Sequence, residues 1–169
     1  MDKFMVRLLG SDDLEDFARV RLEALRLHPE AFGASFEDES RQGAGFFAER
    51  LRSDTVFGGF GPQHSLQGII GLRFNTAPKL RHVVTLWGMY VCAEMRGTGL
   101  ARALLDAAVE AAGADRTVKL SVVTTNLPAQ ALYRSAGFHP WATDTAALCV
   151  KGVFYDELLM RLDRPHHGA

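Results

Sequence analysis

The chain has 169 residues, which is enough for one domain of ordinary size and too few for two. Hydrophobic residues make up 47% and charged residues 23% of the sequence, as in soluble globular domains, which excludes a disordered, collagen-like or coiled-coil chain. The formal net charge is -1, so nothing global draws the protein toward nucleic acid or an anionic membrane.

The cysteines and the chain ends add little. Cys92 and Cys149 are far apart, so we expect neither a disulfide nor a metal site, and we expect both side chains to be buried. There is no apolar run long enough to span a membrane and no secretory signal, so a cytoplasmic location is expected. A single domain is predicted over residues 1–163, followed by a frayed tail at residues 164–169.

In chain order, the sequence first predicts a strand and a helix. A β-prone stretch over residues 5–9 stops at a glycine, and Asp12 with Glu15 predicts a capping box. Apolar residues then recur at helical spacing, so the helix is predicted to continue to about Leu27. Residues 30–41 are predicted to be a loop or a broken helix.

Strands and helices are mixed in the rest of the chain. The predicted elements are a helix ending near Ser53, strands at 55–60, 66–74 and 83–91, a helix at 100–112, a strand at 119–124, a helix at 128–136, and strands at 139–143 and 154–162. The strand, helix and strand within residues 83–124 form one βαβ unit inside an otherwise antiparallel run. The predicted fold class is therefore α+β, with helices packed on a mixed, mostly antiparallel central sheet.

The most informative segment is the turn between the strand at 83–91 and the helix that follows it. It reads Arg96-Gly97-Thr98-Gly99-Leu100-Ala101. A helix start leaves backbone N–H groups without partners and carries partial positive charge, and glycines let a ligand approach the backbone closely. Such a turn can bind phosphate oxygens, and Arg96 adds a full charge at its rim.

Two other phosphate-binding turns, the P-loop and the dinucleotide-binding turn, do not fit this sequence. A P-loop needs Lys and Ser or Thr where Leu100 and Ala101 stand, and a dinucleotide fingerprint needs a third glycine where Arg102 stands. The pattern Arg/Gln-x-x-Gly-x-Gly/Ala fits residues 96–101 without a mismatch. Two glycines could also make a tight turn that binds nothing, but the strand before it and the helix after it favour a ligand-binding turn.

A second pattern lies downstream, where a strand ends at Asn126 and a short helix carries Tyr133 seven residues later before closing on Gly137-Phe138. Together with the glycine turn, this pattern resembles the GCN5-related N-acetyltransferase (GNAT) superfamily, whose members acetylate amines with acetyl-CoA. The resemblance is direct over residues 83–138, and the order of the elements extends it to the whole chain. It implies a GNAT-like fold with acetyl-CoA as cofactor.

The resemblance also implies how the cofactor is bound. The turn from Arg96 to Ala101 is expected to bind the CoA pyrophosphate through backbone N–H groups. The strand end formed by Met89, Tyr90 and Val91 is expected to pair with the pantetheine arm. Within it, the Met89 N–H is expected to polarise the thioester carbonyl.

Three further residues are assigned roles by the resemblance, and each also has a plainer interpretation. Asn126 is expected to contact the cofactor arm, but it could simply cap the following helix. Tyr133 is expected to protonate the departing thiolate as general acid, but it could be an ordinary half-buried aromatic residue. Arg134 is expected to reach the cofactor phosphates, but a solvated helix residue explains it equally.

The chain departs from the family at two points. Ala93 stands where many members have proline, and residues 86–91 contain no carboxylate where many members carry a glutamate as general base. The base is therefore unresolved, and a water relay without a dedicated base is also compatible. The candidate residues are Glu37, Asp38, Glu39, His82 and Tyr90, and the acidic cluster among them is more simply a solvated turn.

The predicted function is N-acetylation of a primary amine on a small molecule or peptide, by direct attack in a ternary complex. The alternative is a GNAT-fold module that binds an acyl-CoA as a sensor or interaction domain without turnover. Acceptor choice is assigned to residues 27–45, 75–82 and 139–155, which carry no decisive motif. Pairing into a homodimer is compatible with the family, and neither nucleic acid nor membrane is expected as a partner.

Overall fold

The computed structural model describes residues 4–164, which form seven strands and five helices. The strands are β1 (Met5–Leu8), β2 (Thr55–Phe60), β3 (Leu66–Phe74), β4 (Val83–Val91), β5 (Thr117–Val123), β6 (His139–Val150) and β7 (Val153–Leu162). The helices are α1 (Leu14–Leu27), α2 (Phe36–Glu39), α3 (Ala44–Ser53), α4 (Leu100–Ala112) and α5 (Leu127–Ser135). One-turn 3-10 segments stand before α1, between α1 and α2, and on either side of β4.

All seven strands belong to one sheet in the order β1-β2-β3-β4-β5-β7-β6. The pairing of β4 with β5 is parallel, and the remaining neighbours pair antiparallel. The parallel pair is joined by α4, as a crossover connection requires. The predicted fold class is therefore confirmed.

The sheet opens at the ends of β4 and β5. Within residues 4–164 these strands pair over three residues only, Val83–Thr85 with Thr117–Lys119, although both strands continue further. On its other side β4 carries a bulge, because Gly88 and Met89 face a single residue of β3. Gly88 has a φ of +65°, in the left-handed region that favours glycine. The bulge bends β4 away from β5 and leaves a cleft between the two strand ends.

Apolar side chains cover both faces of the sheet. On one face, α4 buries Leu104, Leu105 and Ala108 in a core shared with β3 and β4 residues such as Ile70 and Val84. On the other face, α1 packs its own apolar residues, among them Phe17, Val20 and Ala24, against β3 and β4. Each fully buried large aliphatic side chain contributes about 1.5–3 kcal/mol, so both helices are held firmly on the sheet.

The start of α1 differs from the prediction. The Asp13 carboxylate, not Asp12, accepts a hydrogen bond from the Gly10 N–H at 2.9 Å, and it also forms an ion pair with Arg7 at 2.7 Å. The hydrogen bonds from Arg7 hold the pKa of Asp13 below its usual value. The capping box of Asp12 and Glu15 was therefore wrong, because the ion pair from β1 selects the next residue along the chain.

The C-terminal hairpin is longer than predicted. β6 runs to Val150 instead of ending near Thr143, and it forms one edge of the sheet. Cys149 lies on this edge and is exposed, so the expectation that it is buried was wrong, whereas Cys92 is buried as predicted. An edge strand with few neighbours over it leaves even small apolar side chains in solvent.

The two ends of the chain are only partly described. Arg164, the first residue of the predicted tail, donates a hydrogen bond to the Val109 carbonyl at 3.5 Å. Residues 1–3 and 165–169 lie outside the described part of the structure. No helix within residues 4–164 is long and apolar enough to cross a membrane.

Candidate active site

A cavity of about 560 Å³ fills the cleft between the ends of β4 and β5. It brings together six of the predicted site residues, namely Met89, Tyr90, Val91, Arg96, Ala101 and Asn126. It is completed by the end of β5, by the first turn of α5 and by residues that follow α1, which include His28, Glu30 and Phe32. Sequence reasoning assigned no individual role to these last three residues, although they belong to the segment 27–45 that was predicted to govern acceptor choice.

The backbone of β4 presents hydrogen-bonding groups to this cleft. The Cys92 N–H donates to the Gln67 carbonyl on the β3 side at 2.8 Å, whereas the Val91 carbonyl accepts from Arg96 Nε on the opposite side at 3.2 Å. Successive residues of a strand direct their backbone groups to opposite edges. The N–H of Met89 therefore points to the same edge as the Val91 carbonyl, which is the edge that borders the cleft.

The glycine turn adds a second set of backbone donors. Gly97 and Gly99 have φ values of +72° and +97°, and a Cβ at Gly97 would meet nothing within 4 Å. Thr98 Oγ1 donates to the Met95 carbonyl at 2.7 Å and accepts from the Leu100 N–H at 3.4 Å, while the Leu100 side chain is fully buried. The N–H groups of residues 97–99 have no protein acceptor in the part of the chain that the structure describes. Open N–H groups at a helix start fit the phosphate oxygens of a nucleotide-bearing cofactor.

Arg96 lies across the mouth of the cleft. Besides its bond to Val91, the guanidinium donates from Nη2 to His28 Nε2 at 3.1 Å and lies 6.0 Å from the centre of the Tyr90 ring. Because Nε2 accepts this bond, the neutral His28 ring carries its proton on Nδ1. Arg96 is exposed and keeps a full positive charge at the rim, as the sequence predicted.

Asn126 has the plainer role in the structure and also lines the cleft. Its Oδ1 accepts the Ala129 N–H at 3.2 Å, so the residue caps α5. Gly137, which has a φ of +94°, closes the C-terminal end of α5. The N–H groups of Gly137 and Phe138 donate to the carbonyls of Arg134 and Tyr133. Both ends of α5 are therefore those that the sequence predicted.

Tyr133 and Arg134 do not line the cleft. Tyr133 is 5% exposed and packs its ring 5.9 Å from that of Phe138, one helical turn beyond Ala129, which does line the cleft. Burial raises the pKa of the Tyr133 hydroxyl well above its ordinary value. Arg134 is exposed on α5, as the solvated interpretation expects.

The model of the Acetyltransferase (GNAT) family matches residues 14–138, which is well over half of the chain. The chain belongs to the GNAT acetyltransferase family. No curated protein matches the sequence.

Solved structures share the fold of this GNAT protein. The yncA protein of Salmonella typhimurium, solved with its cofactor acetyl-CoA, has 19% identity and a TM-score of 0.80, over 99% of this chain and 98% of that one. The smu.2055 protein of Streptococcus mutans has 18% identity and a TM-score of 0.81, over 94% and 98%. A GCN5-related N-acetyltransferase from Kribbella flavida has 20% identity and a TM-score of 0.78, over 94% and 96%.

Two of the predicted base candidates are engaged within this GNAT domain. Glu39 is buried and forms a bidentate ion pair with Arg21, with both N–O distances at 2.9 Å, so its interpretation as part of a solvated turn was wrong. The Tyr90 hydroxyl donates to Glu23 at 2.9 Å. Burial, aided by this bond, raises the pKa of Tyr90 well above its ordinary value, which disfavours a role as base.

The other three candidates lie apart from the cleft. His82 precedes β4, seven residues before Met89, which corresponds to about 20 Å at the usual rise of a strand. Glu37 and Asp38 are exposed on α2. Glu37 lines a separate cavity of about 590 Å³ between the segment after α1 and residues 147–151.

A third cavity, of about 340 Å³, lies on the other side of the bulge at Gly88 and Met89. Its walls come from β4, β5, β6 and β7, and include Thr85, Trp87, Lys119, Ser121, Trp141, Glu157 and Leu159. Ala31 and Phe32 line both this cavity and the cleft, so this short segment borders the two spaces. We name the third cavity the bulge cavity. Carboxylate, ammonium, hydroxyl and aromatic groups meet there, as a site for a polar organic molecule requires.

Proposed function

We propose that the protein is an acetyl-CoA-dependent N-acetyltransferase, acting on a primary amine of a small molecule or peptide by direct attack in a ternary complex. The observation that carries the proposal is the cleft, where a strand edge with free backbone groups lies beside Arg96 and Ala101, the two ends of the glycine turn. Membership of the GNAT acetyltransferase family and the acetyl-CoA in the yncA structure support it.

Acetyl-CoA supplies the acetyl group as an activated thioester. The N–H groups of residues 97–99, with the start of α4, would hold its pyrophosphate. The cleft edge of β4 from Met89 to Val91 would hold the pantetheine arm, as an added strand is held at a sheet edge. The Asn126 oxygen is used by the cap of α5, so its amide N–H₂ is the group that remains for the cofactor.

Two groups of the chain would contribute to the chemistry. The Met89 N–H is held by the bulge and needs no reorganisation to donate to a carbonyl oxygen, and one such donor is typically worth about 3–4 kcal/mol. Tyr133 keeps its proton throughout the neutral range because burial raises its pKa, so it is available as an acid. Ala129 and Leu132 of α5 line the cleft, and Tyr133 is buried on the same helix. We propose that the Tyr133 hydroxyl donates its proton to the departing sulfur.

The test is an acetylation assay with a panel of alkylamines, polyamines, amino acids, aminoglycosides and peptides, followed by thiol release and by mass of the product. We expect at least one amine to gain 42 Da, the mass of an added acetyl group. Tyr133→Phe should lower kcat by about 100-fold or more. Tyr155→Phe, which alters a tyrosine on β7, is the matched control and should leave kcat unchanged.

The same experiment separates the enzyme from a binding module. If acetyl-CoA binds, no amine is acetylated and Tyr133→Phe changes nothing, the domain is an acyl-CoA sensor or interaction module instead. We also propose that the domain acts in the cytoplasm, where acetyl-CoA is made available to such enzymes, and that two copies pair. Fractionation of cells and the mass of the protein in solution test these two points.

A further inference from the structure

We propose that Glu157 on β7 binds the acceptor amine and removes its proton. The proposal rests on the acetyltransferase function proposed above and names the base that the sequence left open. No sequence motif marks Glu157, which is one of several alternating residues on a C-terminal strand. Its position in the folded sheet is what distinguishes it from the other carboxylates.

The register of the sheet brings Glu157 level with the cleft. Val83–Thr85 pair with Thr117–Lys119, and the same offset, carried past the one-residue bulge, sets Met89 and Tyr90 opposite Val123. Val123 in turn pairs with Glu157 on the next strand. β4 and β5 no longer pair at this level, so the backbones of Met89 and Glu157 are more than about 10 Å apart, which is twice the usual spacing of neighbouring strands. A bound amine would lie in the space between them.

The Glu157 side chain lies on the face of the sheet that holds the bulge cavity. Side chains alternate along β7, and Leu158 and Met160 pack in the core under α4. Glu157 and Leu159 therefore point to the opposite face, where both line the bulge cavity together with Gly88. Gly88 lines the bulge cavity, and the next residue, Met89, lines the cleft. An amine in the bulge cavity would thus lie between the Glu157 carboxylate and the strand edge that is proposed to hold the thioester.

The Glu157 carboxylate is available for an ammonium group. Among residues 4–164 it forms no ion pair and accepts no hydrogen bond, while Glu39 is taken by Arg21 and Glu23 by the Tyr90 hydroxyl. Glu157 is half-buried, so a cation that meets it is partly shielded from water. Glu30 is also half-buried and forms no ion pair among the described residues, but it lines the cleft and not the bulge cavity, and the exposed Glu37 lines only the cavity near α2.

Several charged and titratable groups surround Glu157, and their charges affect the pH at which its carboxylate is protonated. Asp144 on β6 pairs directly with it and adds negative charge. Tyr155 and Arg161 follow the same alternation on β7, and Lys119 lines the far end of the bulge cavity, with Nζ 5.6 Å from the centre of the Trp141 ring. The segment after α1 and the β4 wall contribute no charged side chain to this cavity. The negative charge is therefore concentrated at the end of the cavity nearest the bulge.

The acetyl transfer breaks one carbon–sulfur bond and forms one carbon–nitrogen bond. One N–H bond of the ammonium breaks and its proton passes to a Glu157 carboxylate oxygen, which frees the nitrogen lone pair. The lone pair forms a bond to the acetyl carbon while the carbon–sulfur bond breaks. Tyr133 donates its proton to the departing sulfur, and a second N–H proton leaves the nitrogen through water and restores the Tyr133 hydroxyl. Glu157 then releases its proton to water, so one proton appears in solution for each acetyl group transferred.

The test is Glu157→Gln, which keeps the shape of the side chain and removes its charge. With an amine that the wild type acetylates, we expect kcat/KM for the amine to fall by about 100-fold at neutral pH and the KM for acetyl-CoA to stay unchanged. The deficit should shrink as the pH rises toward the amine pKa of about 10.4, because more of the amine is then already neutral. Glu110→Gln, the same change at an exposed glutamate on α4, is the matched control and should stay within about threefold of the wild type.

A Glu157→Gln variant within about threefold of the wild type, or one with an unchanged pH profile, would overturn the assignment. If the wild type acetylates no amine, the proposed function fails, and calorimetric titration of the CoA-loaded protein with the same amines decides on Glu157. Amine binding weakened at least about tenfold by Glu157→Gln and not by Glu110→Gln supports Glu157 as the amine-binding group. Equal binding by the two variants, or no binding by the wild type, contradicts it.

Discussion

The two sides of the β4 bulge are built in different ways. On the cleft side, the groups that we propose to bind the ligand are backbone N–H groups of Met89 and residues 97–99, which come from one short stretch of chain. On the side of the bulge cavity, the walls are side chains contributed by four strands and by the segment after α1. A backbone site depends on local sequence and can accept one constant cofactor. A side-chain site depends on how distant elements meet and can vary with the acceptor.

Buried charges support the side-chain wall. Arg21 and Glu39 form an ion pair at 2.9 Å, and Arg50 lies 3.7 Å from the same carboxylate. The guanidinium groups of Arg21, Arg50 and Arg73 lie 5.6, 5.1 and 5.8 Å from the centre of the Trp87 ring, which forms part of that wall. On the cleft side, the backbone geometry is set instead by the bulge and the glycine turn.

The largest expected effect concerns this cluster. Glu39→Gln should lower the free energy of unfolding by about 3–5 kcal/mol, because it leaves the buried Arg21 guanidinium without a counter-charge. Glu37→Gln, two residues earlier and exposed, should change it by less than about 0.5 kcal/mol. Urea denaturation of both variants is the measurement. Equal effects would mean that the bulge-cavity side does not depend on buried charge.

A smaller effect is expected from the glycine turn on binding of CoA. Gly97→Ala should weaken CoA binding about tenfold or more, because a methyl group enters the space above the free N–H groups. Gly152→Ala, in the turn between β6 and β7, is the matched control, because Gly152 has a φ of +81° and an added Cβ there would also meet nothing within 4 Å. Both variants should lose about 1–2 kcal/mol of stability from the strained φ. Calorimetry that finds the same CoA affinity in both would remove the turn from the site.

The smallest effect is on stability at alkaline pH. Burial raises the pKa of Tyr133 in the folded state, so above the ordinary tyrosine value of about 10 the unfolded chain loses a proton that the folded chain retains. The stability of the wild type should then fall relative to Tyr133→Phe by up to about 1.4 kcal/mol per pH unit. Urea denaturation of both proteins at several pH values between 9 and 11 gives this difference. Parallel curves would place the hydroxyl in solvent.

The cleft side could be predicted from the sequence because its determinants are contiguous. Residues 96–101 carry the glycine pattern, and Asn126 and Gly137 mark the ends of the short helix that carries Tyr133. The roles proposed for them stay predictions, and the structure adds that Asn126 caps α5 and that Tyr133 is buried. The pairing of Arg96 with His28 could not be foreseen, because these residues are 68 positions apart.

The bulge-cavity side could not be predicted because it depends on the strand order. β7 inserts between β5 and β6, so Glu157 becomes a neighbour of Val123 although 33 residues lie between them in the chain. The alternation of polar and apolar residues along β7 signals one buried face but not what the other face meets. The same difficulty explains Cys149, whose exposure follows from the position of β6 at the sheet edge.

We propose that the cleft between β4 and β5 binds acetyl-CoA through backbone N–H groups. Amide chemical shifts recorded during a titration with acetyl-CoA test it most directly, because each N–H reports on its own hydrogen bond. We predict that the amide signals of Met89, Gly97, Thr98 and Gly99 move most, and that those of Ala147–Val150 in the separate cavity near α2 do not. Shifts that cluster around that cavity and spare the glycine turn would contradict the account.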